Sequence, residues 1–329
     1  MSTDAPRRKV LRSLVFATSA SAVPFVVRSD PAFPQRVVRL VVPFAPGGSA
    51  DAAARILAEK LAELWGQPVI LLNRPGAGTS LASAYVAQSP ADGYTLLMGY
   101  VLSYSTTASL YKKLSYDPAT ALTPLSLVAD APFVVGVDPS TGIQTLAELV
   151  TAIRQSPHGL HYASSGTGAG PHLTTEMLLR RLGVRSNHVP YRGTAEVVTA
   201  VISGQVQFSV FDASALSQIR SGRIRALALT AAARWSQLPD LPTVAELGYP
   251  DFNVTSGGGI MVSSRTPDSI KQKIERDVMQ AMSVDAVRQR FTALGFIPVG
   301  SNSTEFDATL RVNMQRIRAL IEELGMTAD

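Results

Sequence analysis

The chain has 329 residues, of which 46% are hydrophobic and 17% charged, and a formal net charge of +5. That length holds one large or two ordinary domains with a full apolar core, and the composition excludes a disordered or fibrous chain. It contains no cysteine, which excludes disulfides, thiolate metal sites and cysteine nucleophiles but leaves an oxidising compartment open.

The excess positive charge is concentrated at the N-terminus, where Arg7, Arg8, Lys9 and Arg12 are opposed only by Asp4. The run Pro6-Arg7-Arg8-Lys9-Val10-Leu11-Arg12 has the form of a twin-arginine export signal. The apolar stretch that follows over 14–27 is diluted by Thr18, Ser19, Ser21 and Pro24, so it is too short and too polar to span a membrane. Ala20-Ser21-Ala22 offers small residues for cleavage, and residues 1–34 are expected to be a signal peptide and tail. The competing reading is a disordered basic tail on a cytosolic protein. Beyond this segment Lys and Arg are dispersed, with no basic stripe, which argues against a nucleic-acid partner.

From residue 38 onward, short β-branched runs alternate with amphipathic stretches. The spacing predicts a strand at 38–42, a helix at 51–64 with Ala53, Ile56, Leu57 and Leu61 on one face, a strand at 69–72 and a helix at 80–88. Asp92-Gly93 marks a turn before a buried strand at 94–98. Strands are expected at 125–128, 133–137, 160–163, 189–192, 206–211, 225–230 and 260–262. Helices are expected at 146–155, 173–182, 196–202, 270–282, 284–294 and 305–324. Strands separated by helices predict an α/β class with parallel pairing.

The chemistry gathers in two glycine loops. The first, Val41-Val42-Pro43-Phe44-Ala45-Pro46-Gly47-Gly48-Ser49-Ala50-Asp51, runs from a strand into a helix whose first N–H groups lack partners beside the positive end of the helix dipole. Pro46, Gly47 and Gly48 let the main chain approach a ligand closely, and Ser49 or Asp51 can cap the helix. A Gly-rich turn of this kind is common in α/β domains, and it matches neither nucleotide fingerprint. The second loop, Ser164-Ser165-Gly166-Thr167-Gly168-Ala169-Gly170-Pro171-His172, repeats the arrangement in the other half of the chain. Two anion seats predict a clamp, with the loops facing one another across the main polar-lined cavity.

Single residues carry alternatives. Asp51 is a candidate ligand contact or dipole compensation, and Asp212 ends an apolar strand aimed at the cleft. Tyr100 and Ser103 follow the third strand where it opens onto the same cleft, although Tyr100 could pack under the rim. Arg192 suits a carboxylate fork, but a salt bridge at the rim is preferred. The four histidines, His158, His161, His172 and His188, have no acidic companion at metal spacing, and His172 reads as a capping or packing residue. The expected ligand-binding set is therefore Phe44, Pro46, Gly47, Gly48, Ser49, Asp51, Tyr100, Ser103, Ser165, Gly166, Thr167, Gly168 and Asp212, with no cofactor and no metal.

Nearly the whole chain after the signal resembles the receptors of tripartite tricarboxylate transporters, the Bug family. The markers are the 41–51 run, Asn73-Arg74-Pro75-Gly76-Ala77-Gly78, Asp92-Gly93-Tyr94-Thr95-Leu96-Leu97 and Tyr162-Ala163-Ser164-Ser165-Gly166. They continue with Val189-Pro190-Tyr191-Arg192-Gly193, Gly204-Gln205-Val206 and Leu238-Pro239-Asp240-Leu241-Pro242-Thr243-Val244-Ala245-Glu246. The resemblance implies a type II periplasmic-binding-protein fold, two α/β domains around a central cleft, with a discontinuous first domain at 35–128 plus 250–329 and a second at 129–249. It implies a periplasmic solute-binding receptor that captures a small carboxylate through main-chain groups and water, serves membrane transporter subunits and acts as a monomer without turnover. One departure is Gly257-Gly258-Gly259, in a segment where the family commonly has a Trp; this is expected to loosen the hinge side or enlarge the cavity. A second is Gly170-Pro171, where small polar residues are usual. The competing functions are an exported hydrolase using Ser165 or Ser49, which lacks a G-x-S-x-G elbow, and the effector-binding half of a transcription regulator, which lacks a leading helix-turn-helix.

Overall fold

The computed structural model describes residues 1–2, 33–191 and 193–326. Most of the expected signal peptide and tail, together with Arg192, lies outside the described residues. No described helix is long and apolar enough to cross a membrane.

The first lobe opens with β1 (Val38–Val42), α1 (Ser49–Trp65), β2 (Val69–Asn73), α2 (Ser80–Gln88), β3 (Thr95–Tyr100), α3 (Val101–Leu110) and β4 (Leu122–Asp130). The second lobe contains β5 (Val134–Val137), α4 (Leu146–Gln155), β6 (His161–Ser164), α5 (Gly170–Leu182), β7 (Asn187–Pro190), α6 (Thr194–Ile202), β8 (Phe208–Phe211), α7 (Leu216–Arg220) and β9 (Arg225–Leu229). The chain then returns to the first lobe through β10 (Gly258–Ser263), α8 (Asp268–Ser283), α9 (Asp285–Ala293), β11 (Ile297–Pro298) and α10 (Ser303–Leu324). Local chemistry sets several boundaries. α1 stops at Gly66 in the left-handed region, at φ 61°. Thr145 caps α4, and α10 starts on a capping box between Asn302 and Glu305.

Two sheets result, with strand orders β11-β4-β10-β3-β1-β2 and β7-β6-β8-β5-β9. The expected parallel pairing holds where a helix connects the strands: β1 lies parallel to β2 and β3, and β6 to β7 and β8. It fails for β10, which is antiparallel to β3 and β4, and for β5, which is antiparallel to β8 and β9. β5 and β10 are the strands that enter each sheet from the other one, with no α-helix immediately ahead of them, and each runs against the neighbours it inserts between.

The strands that pass between the sheets are stitched together. Phe133 N–H donates to Thr230 Oγ1 at 2.9 Å, Thr230 N–H to the Phe133 carbonyl at 3.0 Å, and Ser256 N–H to the Ala131 carbonyl at 2.8 Å. Two helices also serve both lobes. α10 places Phe306 and Leu310 with Leu97 and Met261 of the first sheet, but Ile317, Leu320 and Ile321 in the core of the second lobe. α3 does the same, with Val101 and Tyr104 on one side and Leu102 and Leu110 on the other.

The glycine triplet does not act as expected. A Cβ on Gly258 would lie 2.9 Å from the Tyr100 ring, and one on Gly259 would lie 2.4 Å from the Ser126 carbonyl oxygen and 2.6 Å from the Phe306 ring. The volume of the missing side chains is filled by neighbouring rings and backbone, so the triplet tightens the sheet here instead of loosening it.

Candidate functional site

The first loop leaves β1 with Phe44 stacked edge-on against Tyr100, ring centroids 5.1 Å apart. Residues 45–48 are exposed. α1 begins at Gly48 without a side-chain cap, and neither Gly47 nor Gly48 has an atom within 4 Å of the place a Cβ would occupy. No side chain therefore caps the first turn, and the loop ahead of it leaves room for a close approach.

Asp51, only 3% exposed, points the other way. Its carboxylate accepts from Gly47 N–H at 3.1 Å, Arg55 Nε at 3.0 Å and Asn73 Nδ2 at 2.9 Å, and Asn73 also donates to the Phe44 carbonyl at 3.0 Å. Burial alone would raise the carboxyl pKa, but the donors from Asn73, Gly47 and Arg55 outweigh it and hold it below the ordinary value. Asp51 and Asn73 thus brace the loop from behind, and the Gly47 N–H is already engaged.

At the β3–α3 junction Tyr100 is buried, its hydroxyl has no partner among the described residues, and burial raises its pKa. Ser103, one turn into α3, is half-buried, and α3 also lacks a side-chain cap. The second loop sits against this same helix. A Cβ on Gly170 would meet Leu102 at 3.3 Å and Phe133 at 3.1 Å, and one on Gly168 would meet Leu110 at 2.6 Å. Phe44 through Tyr100 and Gly170 through Leu102 thus bring both loops to the start of α3. α5 also begins without a side-chain cap, at Ala169. A helix N-terminus without a side-chain cap favours an anion, and α1, α3 and α5 each present one, although the Val101 N–H of α3 is taken by the Gly257 carbonyl at 2.8 Å. No group of His, Cys, Asp and Glu suited to a metal occurs among the described residues.

A family model described as the tripartite tricarboxylate transporter family receptor matches residues 53–326. The chain belongs to that receptor family. It is 33% identical over 314 residues to BugT of Bordetella pertussis, an alignment covering 95% of each chain. Among solved structures it is similar to Rpa4515 of R. palustris with adipate, at 32% identity and a TM-score of 0.81, covering 90% of this chain and 99% of that one. MatC from Rhodopseudomonas palustris with bound malate is similar at 30% identity and a TM-score of 0.77, covering 88% and 100%. The periplasmic binding protein BugD gives 31% identity and a TM-score of 0.78, covering 90% and 99%. The fold is the type II binding-protein architecture of these receptors, and the protein is a solute-binding receptor, not an enzyme.

Within this receptor the sequence-derived residues fall into two groups. Phe44, Pro46, Gly47, Gly48 and Ser49 belong to the first loop, Tyr100 and Ser103 to the β3–α3 junction that Phe44 touches through Tyr100, and Ser165, Gly166, Thr167 and Gly168 to the second loop. Asp212 follows β8, whose parallel neighbour β6 runs into the second loop. Asp212 caps the 213–215 turn through Ser214 N–H at 2.9 Å and accepts from Thr194 Oγ1 at 3.2 Å. A surface hollow of about 570 Å³ lies beside Gln237, Arg288 and Thr292. Sequence reading missed Asn73, although the Asn73-Arg74-Pro75-Gly76 marker contains it. It also missed Ser164, whose buried hydroxyl lies 2.6 Å from His188 Nε2.

Proposed function

We propose that this receptor captures a small carboxylate anion in the periplasm and presents it to the membrane subunits of a tripartite tricarboxylate-type transporter. The observation that carries this reading is that both glycine loops pack at α3, the first through Phe44 and Tyr100 and the second through Gly170 and Leu102, and each leads into a helix without a side-chain cap. Adipate in one relative and malate in another support a dicarboxylate-sized ligand. We place the ligand between Gly48 and Ser49 on one side and Ser165, Thr167 and Gly168 on the other, with Phe44, Tyr100 and Ser103 beneath. Asp51 holds the first loop in shape, and Asp212 holds the β8–α6 corner. The lobes divide at about 35–128 plus 250–329 and 129–249, and export depends on the twin-arginine-like segment ahead of residue 33. The receptor acts as a monomer.

A thermal-shift screen against malate, adipate and related acids tests this, followed by mass spectrometry of the recovered ligand. Saturation at 100 times Kd should add about 2.7 kcal/mol, and the acid should return unchanged. A shift with none of the acids, or conversion of one that Ser165→Ala abolishes, would reverse the reading.

A further inference from the structure

Under the second loop lies a stacked pair of rings that anion binding by the loop tips does not involve. His172 of α5 and His188 of β7 face each other with centroids 3.9 Å apart and 21° between their planes. Tyr162 of β6 lies against both, at 6.3 and 5.0 Å. Its hydroxyl is bonded to Glu176 of α5, which engages the one carboxylate of this network away from the imidazoles. Phe208 of β8 closes the far side of Tyr162 at 5.7 Å.

Each histidine reaches one glycine of the loop. Gly168 N–H donates to His172 Nδ1 at 3.0 Å, so that nitrogen carries a lone pair and the ring proton sits on Nε2. Ser164 Oγ accepts from Gly166 N–H at 3.2 Å and donates to the Gly166 carbonyl at 3.0 Å. With that hydroxyl proton committed, His188 donates from Nε2 to Ser164 at 2.6 Å. Gly166 and Gly168 are the two left-handed bends of the loop, at φ 130° and 78°. The histidines therefore act on the residues that give the loop its shape.

We infer that His172 is a positioning residue for anion recognition: its neutral Nδ1 draws the Gly168 amide inward and so turns Ser165 and Thr167 outward to the ligand. This rests on the second loop being half of the anion site. Protonation would replace the Nδ1 lone pair with a second donor facing Gly168 N–H and place two cations at stacking distance, so acid opens the loop. Burial, reinforced for His172 by the charge of its neighbour, lowers His172 to about 3 and His188 to about 4. Release consequently belongs to strong acid, and binding is flat through the neutral range.

The test uses the full chain, with malate and adipate as probes in calorimetry at pH 7.5, 5.5 and 3.0, and the ¹⁵N resonance of Gly168. His172→Leu should weaken binding at pH 7.5 by about tenfold and move the Gly168 amide, as expected for a lost hydrogen bond. His172→Asn, whose Oδ1 can stand near Nδ1, should bind like the wild type at pH 7.5 and lose less affinity at pH 3.0; comparing the two proteins cancels titration of the acids themselves. Wild-type affinity in His172→Leu with an unmoved Gly168 amide overturns the inference. So does a His172→Asn protein as weak as His172→Leu, or one whose acid loss equals the wild type's. If the wild type binds neither acid, the carboxylate reading fails, while the Gly168 amide in the two variants still decides the role of His172. If His172→Leu does not fold, as judged by circular dichroism, His172→Asn alone decides.

Discussion

Gly48 has open space around it in the direction a side chain would take, and its backbone is extended. Gly48→Val should therefore leave the melting temperature almost unchanged, within about 0.5 kcal/mol of stability. It should nevertheless weaken anion binding by about tenfold, because the branched side chain stands where the ligand approaches; wild-type affinity in calorimetry would place the contact elsewhere. Asp51 invites the opposite outcome. Its carboxylate is wrapped by Gly47, Arg55 and Asn73, and losing the Asn73 donor to both Asp51 and Phe44 should cost about 1–3 kcal/mol in Asn73→Ala, read by urea unfolding. The Asp51 carboxyl is depressed in the folded state, so its contribution is present above the unfolded-state value and is lost as pH falls through the folded one. The histidine pair has the same direction for a different reason. His172 and His188 titrate at about 3 and about 4 when folded, against the ordinary histidine value of 6.5, so the unfolded chain binds protons that the folded chain refuses. Stability should fall as pH drops from about 6.5 toward 4, by a few kcal/mol in order of magnitude, and His172→Asn should flatten part of that slope in pH-dependent unfolding.

Among the elements, β10 and α3 show how packing sets limits that local sequence does not announce. Gly259→Ala would push a methyl to 2.4 Å from the Ser126 carbonyl and 2.6 Å from the Phe306 ring. We expect it to destabilise by about 1–3 kcal/mol in thermal unfolding, the usual cost of overpacking. A protein as stable as the wild type would mean that the β4–β10 pairing yields easily. α3 was invisible to periodicity. Its sequence, VLSYSTTASL, is rich in Ser and Thr, which favour caps and turns over helix interiors. Ser105, Thr106 and Ser109 satisfy their hydroxyls on carbonyls four residues earlier, and the helix forms because Val101 and Tyr104 are buried in the first lobe and Leu102 and Leu110 in the second. The elements with strong local signals were legible. The β-branched β1 lies where its apolar run puts it, with Val38, Leu40, Val41 and Val42 buried, and α4 lies where helical spacing puts it, with Leu146, Leu149, Val150 and Ile153 on one buried face.

At the scale of the whole molecule, the two lobes are joined by the stitched crossing segments and by α3 and α10, which place side chains in both cores. Ile317→Ala, in the part of α10 buried in the second lobe, should cost about 2–5 kcal/mol, measured by denaturant unfolding. If the lobes close on a ligand by a hinge, X-ray scattering with and without adipate should show the bound form as the more compact, and equal radii of gyration would argue against closure. The glycine loops, the helix starts and the class of ligand they favour were readable from the chain, because glycine placement and the end of an apolar run are local properties. So were the family markers. The sequence could not reveal which donors were already taken. Asp51 reads as a free acid in a first turn, and only Asn73, 22 residues away, and Arg55 turn it into a brace. His172 and His188 lie on different elements, and their stacking depends on β6 and β7 pairing in register, Tyr162 beside His188. The antiparallel entry of β5 and β10 and the seating of Gly168 on Leu110 likewise arise from chain segments far apart in sequence. Hydrogen-bond satisfaction and ring packing belong to pairs of residues that only the folded chain brings together, which is why the tertiary structure alone decided them.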